Sequence, residues 1–435
     1  MRSHLQPWIA RALSSKQLLR GKRWLAERRR RYRRQPHCLQ VFIKVDDPYS
    51  YLLLQALREF EQRYRAEFQY YIVSRLSHDM FPEPELWHNH AFRDAAHVAR
   101  LYAFDYPDSI DQQPEAVTEA VAAHLLSLSE QADFCQRAVT VLGDYWTGQY
   151  AANNRFADPA PTLDKNDRLL VSLGHYYSAM IHYNGEWYWG VDRLSHLEQR
   201  LNDLGLAANS SEDLVYDQSY RLFCQRLPLS DAGPQRPTTP LRLFFSARSP
   251  YSYLGLERTV KLARHYQIPL EIKPVLPMMM RGMNVPSAKK WYIFHDTKRE
   301  ARRLGIDYGF VADPLGPAVE RCYALFEYAC AEGKEIDYLL SFARGVNAQG
   351  IRAETDTGLQ RIVERCGLNW STAKPLLKQN SWRDWVEDNY AQMHQLGLWG
   401  VPCLQYGELV VWGQDRIDVI EQAICRAIVS HNSQL

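Results

Sequence analysis

Short apolar runs rich in Val, Ile, Phe and Leu at residues 39–45 and 241–245 are the clearest signals along this chain. Their length and composition predict buried strands. Each run is followed by a turn and then by helical spacing, as in residues 254–266, and each is followed again by an apolar run, 68–73 and 270–275. A strand, a helix and a second strand assemble most simply as a βαβ unit. Helical periodicity continues through 87–102 and 291–304, and the second half closes with two short strands, 403–406 and 408–411, before a terminal helix over 416–428. The pattern therefore predicts an α/β protein with two units, each split by a helical insertion. Between them, residues 209–239 are dominated by Ser, Asp, Gly and Pro around a short segment at 220–227, which is linker chemistry.

The two units share more than their pattern. Asp47-Pro48-Tyr49-Ser50-Tyr51 is answered by Ser249-Pro250-Tyr251-Ser252-Tyr253 at an offset of 202 residues (249 − 47), and the same offset carries Phe92, Asp94 and Asp105 onto Phe294, Asp296 and Asp307. Near the end of each unit, Gly190-Val191-Asp192-Arg193 is answered by Gly413-Gln414-Asp415-Arg416 at an offset of 223 (413 − 190), as a longer middle in the second copy requires. The expected organisation is a tandem duplication: a basic leader over 1–37, a first copy over 38–208, a linker over 209–239 and a second copy over 240–435.

Composition is that of a globular protein, and no apolar stretch is long enough to span a bilayer. The eight cysteines form no C-x-x-C pair and no zinc spacing, so incidental thiols in a reducing, cytoplasmic compartment are expected and no metal site is. The near-neutral net charge of +2 conceals an asymmetry. Residues 1–36 carry twelve Lys or Arg against the single acid Glu27, which leaves the rest at −9 (40 − 49). Trp8, Ile9, Leu13, Leu18, Leu19, Trp24 and Leu25 interleave with those cations. Two readings follow: a basic amphipathic helix that meets an anionic membrane surface or an acidic partner, peripheral to the inner membrane surface, or a helix that docks on its own acidic body. No nucleic-acid partner is expected.

Ser249-Pro250 alone is a good helix start, with Ser as N-cap and Pro at the first helical position. A helix N-terminus also offers N–H groups and a positive dipole end to an anion such as a thiolate. Four features occur in order across the second copy: Ser249-Pro250-Tyr251-Ser252, Lys273-Pro274, Asn284 with Lys289, Tyr292 and Asp296, and Gly400-Val401-Pro402 followed by Gly407-Glu408 and Trp412-Gly413-Gln414-Asp415-Arg416. In this the second copy resembles the 2-hydroxychromene-2-carboxylate isomerases and kappa-class glutathione transferases, within the DsbA-like thioredoxin superfamily. The resemblance implies two thioredoxin-like domains, a cis-proline at Pro402 and glutathione as cofactor. It implies that Ser249 is catalytic, donating its hydroxyl to the glutathione sulfur. Val401 and Pro402 would pair with the peptide, and Asn284, Lys289, Gln414 and Asp415 would bind its polar ends. Arg416 reads equally as ligand or scaffold. Tyr251, Met283, Trp291 and Tyr292 would line an apolar pocket for an electrophilic, aromatic small molecule, although such residues are more often core.

In the first copy Asp47 replaces the serine and Ser178-Ala179-Met180 occupies the region of Val401-Pro402. A carboxylate beside a thiolate would raise its pKa. The first copy is expected to be a degenerate partner in an intramolecular pseudo-dimer. Two other functions stay open: a thiol-disulfide oxidoreductase, for which Cys403 is the only cysteine near the motif, and a noncatalytic binding or adaptor protein using the leader. Disulfide exchange needs two sulfurs, and residues 249 and 252 are both serine.

Overall fold

The computed structural model describes residues 2–75, 80–108, 113–151, 156–209, 213–227 and 236–432. Its described strands form two four-stranded mixed sheets. The first contains β1 (Cys38–Ile43), β2 (Glu67–Ile72), β3 (Met180–Tyr183) and β4 (Glu186–Trp189) in the order β2-β1-β3-β4. The second contains β5 (Leu241–Phe245), β6 (Leu270–Pro274), β7 (Cys403–Tyr406) and β8 (Leu409–Trp412) in the order β6-β5-β7-β8. In each, the first two strands pair parallel and the remaining two pairings are antiparallel.

Parallel pairing needs a crossover, supplied by the helices Pro48–Arg63 and Pro250–Tyr266. The β3–β4 connection is the two-residue Asn184-Gly185, with φ of 49° and 82°. Two successive positive φ values suit the twist of a tight hairpin, and Asn-Gly adopts them at low cost. Among the described residues, four long helices lie between β2 and β3 and seven between β6 and β7, in keeping with the longer middle of the second half.

The chain divides into two compact units. One comprises Arg20–Gln218 with Pro286–Tyr292, and is here called the first-half unit. The other comprises Met1–Leu19, Ser219–Val285 and Ile293–Leu435, the second-half unit. The basic leader is thus shared out between the two units rather than standing apart. It forms the helices Arg2–Leu13 and Lys16–Tyr32. Part of the linker is also absorbed. Tyr220 donates its hydroxyl to the fully buried Glu300 at 2.8 Å, and Phe223 and Leu227 pack on the second-half core.

Each unit has its own core. Leu39, Val41 and Ile43 of β1 pack with Leu52, Leu57 and Phe60 of the following helix, and Leu241, Leu243 and Phe245 of β5 pack with Leu254, Leu262 and Tyr266. Internal hydrogen bonds also recur. Tyr49 donates to Asp94 at 2.7 Å, and Tyr251 donates to Asp296 at 2.7 Å. Ser50 Oγ accepts from Lys44 N at 3.1 Å, and Ser252 Oγ accepts from Ser246 N at 3.3 Å. Gly190 N donates to Ala179 O at 2.7 Å, and Gly413 N to Pro402 O at 2.8 Å.

Candidate active site

Ser249 sits at the end of the β5 turn and caps the helix Pro250–Tyr266, with extended backbone at φ −69° and ψ 120°. Its Oγ accepts from Ser252 N at 3.2 Å, which satisfies one of the first-turn donors. The same Oγ lies 3.5 Å from Val401 O. That separation is at the outer limit of a hydrogen bond, so the hydroxyl proton is loosely held.

The Val401–Pro402 peptide is cis, and this segment lies against the first helix. A Cβ built on Gly255 would come 3.1 Å from Pro402 Cβ and Cγ, so the helix approaches the proline as closely as a glycine permits. Gly413 N–H holds Pro402 O from the other side and brings the short 3-10 helix Gln414–Arg416 to the same place. Ser249, Val401, Pro402 and Gln414 are therefore neighbours through backbone geometry rather than through sequence proximity.

Side-chain roles within this cluster differ. The Gln414 carboxamide is buried: its Oε1 accepts from Arg258 at 2.7 Å and its Nε2 donates to Glu300 at 2.9 Å and to Asp415. Asp415 is half-buried beside it, and Arg416 is buried. Asn284 lies exposed after a 3-10 turn and Met283 is half-buried there. The Tyr251 hydroxyl is engaged by Asp296, which Arg299 also approaches at 3.4 Å.

Lys289, Trp291 and Tyr292 belong to the Pro286–Tyr292 segment of the first-half unit, whereas the Ser249 cluster belongs to the second. Lys289 Nζ donates to Met80 O at 2.7 Å, and burial pulls its pKa down to about 8. Tyr292 packs edge-on against His175 at 4.7 Å, beside the cluster of Phe42, Val73 and Met180. Trp291 is 52% exposed.

Three positioning residues had no distinctive sequence signal. Arg248, immediately before Ser249, makes a two-pronged ion pair with Asp313 at 2.8 and 2.9 Å and so fixes the approach to the helix. Arg281 donates to Trp399 O at 2.9 Å and stacks over Tyr390, steadying the segment that leads into Val401. Gly255 is the third. The first two reach across many residues, and nothing in local periodicity marks such partners.

Cys403 follows the cis-proline. Its thiol is fully buried, donates to Gly400 O at 2.7 Å and is held well above the usual thiol range by burial. A thiol kept protonated in this way is a poor nucleophile.

The corresponding place in the first-half unit has different chemistry. Asp47 caps the helix Pro48–Arg63 through Tyr49 N at 3.1 Å, and also accepts from Ser50 Oγ at 2.7 Å and Ser178 Oγ at 2.8 Å. Burial raises its pKa, against the lowering effect of those hydrogen bonds. A cavity of about 480 Å³ also lies in this unit, lined by Gln55, Arg58, Tyr102, Cys135 and Tyr216 among others.

Residues 241–425 match the DSBA-like thioredoxin domain family. The chain is 25% identical over 191 residues to 2-hydroxychromene-2-carboxylate isomerase of Pseudomonas putida, a match that covers 42% of this chain and 93% of that protein. Among solved structures, a 2-hydroxychromene-2-carboxylate isomerase overlaps 45% of this chain and 99% of its own at 23% identity, with a TM-score of 0.40. The cytosolic disulfide reductase DsbM from Pseudomonas aeruginosa overlaps 45% of this chain and 100% of its own at 14% identity, with a TM-score of 0.35. The match over 241–425 identifies a DSBA-like thioredoxin domain in the second half of this chain, and the sheet order and the helix start at Ser249 agree with it.

Proposed function

We propose that the second half is a glutathione-dependent isomerase that acts on an electrophilic, aromatic small molecule. The observation that carries this reading is the placement of Ser249 Oγ at a helix N-terminus, 3.5 Å from the carbonyl that precedes the cis-proline. A thiolate placed there would replace the loose bond to Val401 O with a charge-assisted one and would gain from the helix dipole. Both effects favour the ionised sulfur. A relative at 25% identity is a 2-hydroxychromene-2-carboxylate isomerase, and with serine at both 249 and 252 the sulfur would be supplied by the bound tripeptide.

Bound glutathione would supply a thiolate able to add reversibly to a conjugated acid and so permit rotation about its double bond. Val401 would hold the peptide in strand-like pairing, and Asp415 would face its ammonium group. The first half would be a degenerate copy of the same domain, a reading supported by the shared strand order and the recurring Tyr–Asp hydrogen bonds.

Isothermal titration with glutathione tests the reading directly. Saturable binding by the intact chain, weakened by Asp415→Ala, is the expected result. No binding heat at millimolar glutathione would overturn it.

A further inference from the structure

We infer that the outward face of the helix Lys16–Tyr32 is a docking surface for an anionic phospholipid bilayer. The relevant residues are 20–32, which lie within the first-half unit, and the inference does not depend on the proposed isomerase activity.

A helix that packs on its own protein turns its apolar stripe inward. This one does the reverse. Within residues 20–32 the protected residues are Arg23, Ala26, Glu27 and Arg30, at spacings that mark a single face. That face is held by ion pairs. Arg23 grips Glu186 of β4 through two bonds of 2.7 Å, and Arg30 grips Glu27 at 2.7 and 2.9 Å while also donating to Gln35 O at 2.6 Å. The large apolar residues of this stretch are left outside: Trp24 is 59% exposed, Leu25 45% and Tyr32 90%.

At about 100° per residue, Trp24, Tyr32 and Leu25 share one sector of roughly 100°. Arg20 and Arg31 border that sector on one side and Lys22 and Arg29 on the other, all exposed. Arg28 lies within it and covers the Trp24 ring at 4.9 Å. The only acid of the helix, Glu27, is on the inner face.

This distribution fits the boundary between lipid headgroups and acyl chains. An in-plane helix buries an aromatic and aliphatic strip there while Arg and Lys on its flanks reach up to the phosphates. A nucleic acid, or an acidic protein that met the cations alone, would leave the Trp24, Leu25 and Tyr32 strip in water. The pairing of the two features selects the bilayer.

The test is vesicle flotation of the full chain, using phosphatidylcholine vesicles with and without phosphatidylglycerol. Binding should require the anionic lipid and fall as salt is raised. Two double variants separate the contributions, both at exposed positions, with a thermal melt to verify that each is folded. Arg28→Glu with Arg29→Glu should weaken binding by about tenfold or more. Trp24→Ser with Leu25→Ser should also weaken it by about tenfold, with every cation intact. No binding to the anionic vesicles would overturn the inference. So would a response to the charge variant alone, because purely electrostatic adhesion is what an acidic macromolecule would also give.

Discussion

Ser249 uses its oxygen inward and its proton outward: Oγ accepts from Ser252 N within the helix, and its hydrogen faces the distant Val401 carbonyl. Ser249→Ala removes the helix cap and the outward donor together. On the proposed reading, the thiol of bound glutathione should then titrate about one to two pH units higher, the worth of one hydrogen bond to a charged sulfur. Thiolate absorbance against pH measures this, and an unchanged midpoint would remove Ser249 from the chemistry. Gly255 tests the architecture behind it. A methyl at this position meets Pro402 at 3.1 Å, so Gly255→Ala should cost about 1–3 kcal/mol of stability in denaturant unfolding, as overpacking does. A variant as stable as the parent would mean that the helix and the cis-proline segment separate easily. Cys403, fully buried with its thiol held protonated, should resist a thiol reagent under native conditions and react only on unfolding.

The β3–β4 hairpin gives an element whose stability depends on one imidazole. His182 Nε2 accepts from Gly185 N at 3.2 Å, which leaves Nδ1 as the donor to Gln40 Oε1 at 2.9 Å. That arrangement requires the neutral ring, and burial pushes the pKa from 6.5 down to about 4. The unfolded chain takes up a proton near 6.5 while the folded hairpin resists until about 4. Its contribution is therefore complete above pH 6.5 and is lost as the pH falls toward 4. Unfolding curves between those values should show this slope, and His182→Gln should flatten it. The matching hairpin of the second half, β7 and β8, is legible in the sequence, because the short runs at 403–406 and 408–411 are local signals. The strands β1, β2, β5 and β6 were legible for the same reason, and so was the helix start at Ser249-Pro250. Contacts made over long separations were not. The Arg248–Asp313 pair, the hold of Arg281 on Trp399 O and the burial of Gln414 between Arg258 and Glu300 depend on where distant segments meet. Helical spacing over 291–304 showed that a face would be buried, but not that Lys289 and Tyr292 would pack among first-half residues such as Met80 and His175. In the leader, the run of cations marked an amphipathic helix without showing that its ion-paired side would be the inner one.

Across the whole molecule, two sheets of the same order carry different chemistry at equivalent helix starts. Asp47 is bonded by Tyr49 N, Ser50 and Ser178, so its carboxyl oxygens are already engaged within the first-half unit. Ser178 spends its hydroxyl on that carboxylate, and Ala179 stands at the register of Pro402. The Gly255 register is filled by the fully buried Leu53, so the close approach between helix and proline has no counterpart there. On the proposed reading, the intact chain should bind one glutathione, in the second-half unit. Asp47→Ser should leave that stoichiometry at one, because a hydroxyl restores neither the cis-proline segment nor the amide of Gln414, whose register Val191 occupies. It should also cost about 1–3 kcal/mol in stability, since the hydroxyls of Ser50 and Ser178 lose a buried acceptor. Titration of the parent chain and the variant, each with a denaturant curve, measures both outcomes. Two sites on the parent chain, or a second site created by the single change, would show that the first half retains more of the binding apparatus than Asp47, Ser178 and Leu53 allow.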